Sequence, residues 1–99
     1  MDLHKSIRMV ADTGKVLLGT NRARKIALNG TAKLVVIASN CPSEAKQDLE
    51  HYCKLASIPV LEFQGTSVEL GTTCGRPFSV SVLTVLEPGN SDIMDAVRK

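Results

Sequence analysis

The sequence predicts an α/β fold: a three-layer α/β/α sandwich around a central four-stranded sheet. Three observations lead there. Apolar positions switch repeatedly between helical spacing and short strand-like runs, in the order α-β-α-β-α-β-α-β-α, and such alternation places helices on both faces of a sheet. The run Leu34-Val35-Val36-Ile37-Ala38 is continuous and rich in β-branched residues, the pattern of a strand covered on both faces. The chain is 43% hydrophobic and 22% charged over 99 residues, an ordinary globular composition with material for one core. That length indicates one domain, residues 1–99. Phe63, Phe78 and Tyr52 are the only aromatic residues, so the core must be aliphatic. The same scarcity argues against a binding surface made mainly of stacked aromatics.

The elements follow in order. Leu3, Ile7, Val10 and Ala11 recur at helical spacing, with Asp2 as N-cap and Gly14 past the end. Lys15-Val16-Leu17-Leu18 is a short strand. Gly19 leads into a helix from Thr20 to Asn29 that Gly30 stops. After the strand at 34–38, Pro42 suits the first turn of a third helix, whose buried stripe is Ala45, Leu49, Tyr52, Cys53 and Ala56. Glu50 and Lys54 stand in the favourable i,i+4 order there, and Ile58-Pro59 ends the helix. Val60-Leu61-Glu62-Phe63 is the third strand. Thr66-Ser67-Val68-Glu69 matches a capping box, which predicts a short helix from Thr66 to Gly71. Phe78 to Leu86 alternates as the fourth strand; Pro88-Gly89 turns the chain, and Asn90 or Ser91 caps a last short helix. The pattern does not determine the strand order.

Several functions are excluded. No run approaches the ~20 apolar residues of a membrane span, and Met1 to Lys5 carries no signal-peptide pattern. Cys41, Cys53 and Cys74 are odd in number and widely spaced, so neither a disulfide framework nor a CxxC metal or redox site is expected. Reduced thiols and a cytoplasmic location follow as the expectation. Neither Walker A nor GxGxxG is present, and no local motif marks a nucleophile. His4 and His51 have polar neighbours, and Glu44, Asp48 and Glu50 lie near Lys46 and Lys54 on a solvated helix face. No enzyme activity, cofactor or metal is expected.

Charge is unevenly spread. Residues 1–33 carry seven basic side chains against two acids, and Lys15 to Lys33 carries five bases and no acid. A polyanionic partner and a merely solvated basic face both fit that asymmetry. The stretch Gly19-Thr20-Asn21-Arg22-Ala23-Arg24-Lys25 joins a strand to a helix N-terminus. At ~100° per residue, Ala23, Ile26 and Ala27 face inward while Asn21, Arg24 and Lys25 face outward, with Asn21 and Lys25 as i,i+4 neighbours. An amide, an ammonium and a positive helix end together suit a phosphate beside a base edge. Thr20 or Asn21 acting only as N-cap explains the same pattern. Two further segments flank strands. Leu70 to Pro77 offers two glycines, Thr72, Thr73, small apolar Cys74, Gly75 and Arg76, as a ligand loop or as a plain helix stop at Gly71. Ala38 to Pro42, with Asn40, is a binding loop or, more simply, helix capping.

These residues carry a resemblance. G-x-N-x-x-x-K at Gly19, Asn21 and Lys25, followed by A-K-L-V-V-I-A at 32–38, resembles the kink-turn RNA-binding L-seven-Ae family. D-T-G-K-V at 12–16, S-N-C-P at 39–42, G-T-S-V-E-L-G-T at 65–72 and E-P-G-N-S-D-I at 87–93 resemble its archaeal L-thirty-e branch of large-subunit ribosomal proteins, over essentially the whole chain. The resemblance implies a mixed four-stranded sheet and recognition of kink-turn or internal-loop rRNA bent by sheared G·A pairs. It implies that Asn21 and Lys25 meet guanines and nearby phosphates, and that Gly19 and Thr20 contact RNA through the backbone. It further implies that Thr72 to Pro77 (with Thr73, Cys74, Gly75 and Arg76) holds a splayed base, and that Arg22, Arg24 and Lys33 add phosphate contacts. Asn40 belongs to the same interface. Where L-seven-Ae proteins usually carry an acid after the motif Asn, this chain has Arg22, which removes an acceptor for a guanine edge and argues against a box C/D role. The expected partners are rRNA and neighbouring ribosomal proteins, with the free chain a monomer. A non-ribosomal kink-turn binder or a protein-interaction regulator of the same fold is the alternative, and a nucleotide-using enzyme comes third.

Overall fold

The computed structural model describes residues 3–30, 32–89, 91 and 93. Eight elements alternate: α1 (Leu3–Thr13), β1 (Lys15–Leu18), α2 (Thr20–Asn29), β2 (Leu34–Ala38), α3 (Ser43–Ala56), β3 (Val60–Phe63), α4 (Ser67–Thr73) and β4 (Val82–Glu87). The sheet order is β1-β4-β2-β3. β4 runs antiparallel to both neighbours, and β2 pairs with β3 in parallel. The mixed sheet and sandwich are therefore as expected. The expected cap at Asp2 and the last helix lie outside the described residues, apart from Ser91 and Ile93. Ser91 Oγ donates to the Ser6 carbonyl at 2.6 Å, and Ile93 is buried.

Two apolar layers sandwich the sheet. Leu34, Val36 and Ala38 of β2 and Leu83 and Val85 of β4 pack with Ile7 and Val10 of α1 and Leu70 of α4. Val35, Ile37 and Val82 pack with Ala23 and Ala27 of α2 and Ala45, Leu49 and Cys53 of α3. All five residues of β2 are buried, as a central strand requires. β4 is central too, so residues 82–85 are all buried, Thr84 included.

Three boundaries differ from expectation. The fourth strand begins at Val82, not Phe78. Val80 N–H donates to the Ser67 carbonyl at 2.9 Å, so the segment ahead of β4 is tied to α4 rather than to a neighbouring strand. The third helix starts one residue after Pro42, which occupies the N-cap position. The fourth helix does not stop at Gly71 but runs to Thr73, with Cys74 as C-cap. Gly71 is buried within it, and a β-carbon there would collide with the Phe78 carbonyl oxygen. This glycine marks a close approach between two backbones rather than a helix end. Thr66 does cap the helix, accepting from Glu69 N–H at 3.3 Å.

Gly71→Ala should therefore lower stability by about 2–3 kcal/mol through overpacking. Helix propensity alone would favour the substitution by about 1 kcal/mol. The urea midpoint distinguishes the two by sign, and a gain would show that Phe78 yields freely.

All three cysteines are free and buried. Burial pushes each thiol above its ordinary value of 9.0, with no opposing charge at Cys53 and only partial opposition at Cys41 from Lys46 and Arg24. The unfolded chain thus ionises its thiols first. Their contribution to stability is full below about pH 9 and falls as pH rises further, by up to ~1.4 kcal/mol per pH unit for each thiol. Urea midpoints from pH 8 to 10 should show that fall, and Cys53→Ala should make it shallower. An unchanged slope in that variant would show that Cys53 ionises equally in both states.

Candidate nucleic-acid interface

β1, β2 and β3 run in one direction and β4 in the other, so the carboxyl ends of the first three strands meet the start of β4 at one edge. Backbone hydrogen bonds stitch that edge together. Gly19 N–H donates to the Val82 carbonyl at 3.0 Å, and Ala38 N–H to the Ser81 carbonyl at 2.8 Å. Ser39 donates to the Gly65 carbonyl from both N–H, at 2.9 Å, and Oγ, at 2.8 Å. The start of α2, the 39–42 loop and the start of α4 are held in one row.

The N-termini of α2, α3 and α4 all open on this edge, and they are not alike. That of α4 is closed by Thr66 and by Asn40, whose Oδ1 accepts from Ser67 N–H at 2.7 Å. The first turn of α3 carries Glu44. The first turn of α2 has no acid, and its N-cap is Gly19, at φ 112°. Neither Thr20 nor Asn21 caps the helix, so the alternative of a simple side-chain cap falls. The first N–H groups of α2 have no intrahelical partner, and glycine has no side chain to supply one.

Asn21, Arg22 and Lys25 are exposed on this open turn, whereas Ala23 and Ala27 are buried beneath it. Among the described residues, no ion pair engages Arg22, Lys25 or Arg76. Arg24 differs from its neighbours. It leans onto α3, where its Nη2 lies 3.4 Å from Asp48 Oδ2. Lys46 likewise pairs with Glu62 at 3.5 Å, and these partly exposed pairs lie on the solvated face expected of the third helix.

Other expected residues sort by position. Asn40 is exposed, but its side-chain amide serves the fold, with Nδ2 3.4 Å from Ser67 Oγ. Lys33 precedes β2, and its N–H donates to Val85, towards the end of β4. It lies at the opposite edge, away from the open turn, because α2 carries the chain across the sheet before β2 begins. Thr72 and Thr73 belong to the last turn of α4, and their hydroxyls donate to the Val68 and Glu69 carbonyls. Cys74 is 1% exposed, so its side chain is a core group and not a surface contact. Gly75 and Arg76 are exposed.

The sequence reading missed one element. Phe78 is 55% exposed, although large apolar side chains are usually covered. With Val68, Thr72, Arg76, Pro77 and Ser79 it lines an open groove of about 430 Å³. The tie from Val80 to Ser67, and from Ser67 to Asn40, places this groove beside the stitched edge. Phe78 thus adds a single exposed aromatic ring to the candidate interface.

No helix among the described residues is long and apolar enough to cross a membrane, and no group of three metal-ligating side chains is found among them. Comparison with known proteins agrees with this architecture. Residues 1–95 match the model of the ribosomal protein L7Ae/L30e/S12e/Gadd45 family. A large ribosomal subunit protein eL30 from Methanococcus vannielii is 52% identical, over 96% of this chain and 90% of its own. Proteins of the same name from Methanosphaera stadtmanae and Methanothermobacter thermautotrophicus are each 48% identical, over 96% and 98% of this chain and 97% and 99% of theirs. A solved structure of a protein of unknown function from Bacillus halodurans C superposes with a TM-score of 0.83 at 25% identity, over 97% of this chain and 95% of that one.

Proposed function

The chain belongs to the ribosomal protein L7Ae/L30e/S12e/Gadd45 family, and on that premise we propose that it is a non-enzymatic constituent of the large ribosomal subunit that binds kink-turn or internal-loop rRNA. Its archaeal relatives carry the name of a large-subunit protein and match it along nearly the whole chain. Its partners on this reading are rRNA and neighbouring ribosomal proteins, and its place is the ribosome in the cytoplasm.

The observation that carries the RNA interface is the open N-terminus of α2. It is uncapped by any side chain, free of acid, and bordered by exposed Asn21, Arg22 and Lys25. Unpaired backbone donors and free cations favour phosphate. Asn21, one turn from Lys25, offers both a donor and an acceptor to a base edge. A regular A-form duplex hides its base edges in a deep, narrow groove, while a bent internal loop presents them. Phe78 adds an apolar ring on which an unstacked base can rest. Arg22 and Arg76 supply phosphate contacts, whereas Arg24, engaged by Asp48, contributes less than its place in the motif suggests.

Titration of a fluorescent kink-turn RNA at several salt concentrations tests this. Three to five phosphate contacts should give a log–log slope of roughly −2 to −4. Asn21→Ala and Lys25→Ala should each weaken binding by about 1–3 kcal/mol, and Phe78→Ala by a similar amount of roughly 1–3 kcal/mol. Lys33→Ala, at the far edge, should stay close to wild type. A kink-turn bound no better than a plain duplex, with variants indistinguishable from wild type, would sink the proposal and bring the protein-interaction alternative forward.

A further inference from the structure

We propose that Arg8, on α1, is a positioning residue that holds the connection between α4 and β4, the stretch that presents Arg76 and Phe78. The functional part of this inference rests on the RNA interface proposed above. Gly75 sits in that connection at φ 75°. A β-carbon there would lie 2.5 Å from Arg8 Nη1 and 2.7 Å from Cζ, so the guanidinium occupies the space a side chain would take. The guanidinium is also anchored from behind, since its Nε donates to Asp12 Oδ2 at 2.9 Å, one turn along the same helix. The glycine therefore serves two needs: a backbone angle that L side chains rarely adopt, and a seat for a planar cation.

The turn beside Arg8 is tightly wound. Gly75 N–H donates to the Thr72 carbonyl and Arg76 N–H to the Gly71 carbonyl, both at 2.9 Å. Arg76 follows directly and is exposed at the groove with Phe78. Burial raises the Cys74 thiol, and the Arg76 and Arg8 guanidiniums partly oppose that shift. Asp12 pairs with Arg8, whereas among the described residues no ion pair engages Arg76. Arg8 thus packs against the loop, and Arg76 is the exposed cation that the loop carries. Only the Nε of Arg8 is committed, to Asp12, so the salt slope must separate a direct phosphate role for its Nη groups from positioning.

Site-resolved alkylation of the native chain with iodoacetamide, followed by mass spectrometry, reads the loop without RNA. Cys74 belongs to the core on the α1–α4 side, while Cys41 and Cys53 lie in the core on the opposite face and report general loosening. Arg8→Ala should speed alkylation of Cys74 by roughly fivefold or more, through easier local opening, and leave the other two unchanged. No change at Cys74, or equal acceleration at all three, would overturn the positioning role. With the fluorescent kink-turn RNA, Arg8→Ala should weaken binding about three- to tenfold, the expected effect of losing preorganisation, with the salt slope unchanged. A slope reduced by about one would show Arg8 to be a phosphate ligand and overturn the inference. Unchanged affinity would overturn its functional half. Should the wild type itself fail to prefer the kink-turn, the RNA interface falls, and the Cys74 rates alone decide whether Arg8 holds the loop.

Discussion

The antiparallel insertion of β4 between β1 and β2 is the constraint on which the rest of the molecule depends. The late strand of the chain is its second central strand, and it joins elements far apart in sequence. Its first residues are gripped from both sides, by Gly19 N–H on Val82 and by Ala38 N–H on Ser81. Those two bonds set where α2 begins relative to the 39–42 loop. Both faces of β4 are covered, so residues 82–85 must be accommodated without solvent, and this is why Thr84 is buried alongside valines and a leucine. The candidate edge is a by-product of this pairing: three strands end, one begins, and the loops of all four gather in one place.

Charge at that edge is better described by pairing than by counting. The basic run from Lys15 to Lys33 divides into residues with different duties. Arg22 and Lys25 are exposed at the open turn with no ion pair among the described residues; Arg24 is drawn to Asp48, and Lys33 lies at the far edge. The paired and distant cations still add to the long-range field that steers a polyanion. On the proposed reading, close contacts fall to those whose donors are unspent. The apolar half of the interface is separate, since Phe78 and Val68 sit beyond the capped start of α4. An RNA that used both halves would have to offer phosphates to one and an unstacked base to the other, which an irregular internal loop does and a uniform duplex does not.

Much of the fold was legible because local signals and tertiary demands agreed. α2 runs from Thr20 to Asn29 with a left-handed Gly30 after it, β2 is the buried run 34–38, and Thr66 caps α4, all as periodicity and capping chemistry indicate. Reading failed where a residue answers to a distant neighbour. Gly71 looks like a helix stop, yet its reason for being glycine is the Phe78 backbone, which no local window contains. Phe78 to Ser81 alternates like a strand, but Val80 N–H is committed to Ser67 before any strand partner is reached. Of the candidate interface, the helix start at Gly19 to Lys25 was visible from spacing, but spacing alone left open whether Thr20 or Asn21 capped it. The burial of Cys74 and the structural employment of Asn40 and Arg24 were not, because each is decided by packing between elements.

The three helix starts at the edge show what the interface gives up. A Ser, Thr, Asp or Asn at the N-cap of α2 would stabilise it by about 0.5–2 kcal/mol relative to a poor cap, while glycine comes within a few tenths of those residues. An acid in the first turn would add roughly 0.3–1 kcal/mol more through the helix dipole. The chain makes such choices elsewhere, with Thr66 and Asn40 at α4 and Glu44 at α3. At α2 a capping side chain would occupy the backbone N–H groups, and an acid would repel an approaching phosphate. Gly19 keeps most of the capping benefit through backbone geometry, allows the close turn onto Val82, and leaves the donors unoccupied. The stability forgone is small because Ala23 and Ala27 bury the inner face of α2 against the sheet and α3, and that packing, rather than its first turn, holds the helix in place.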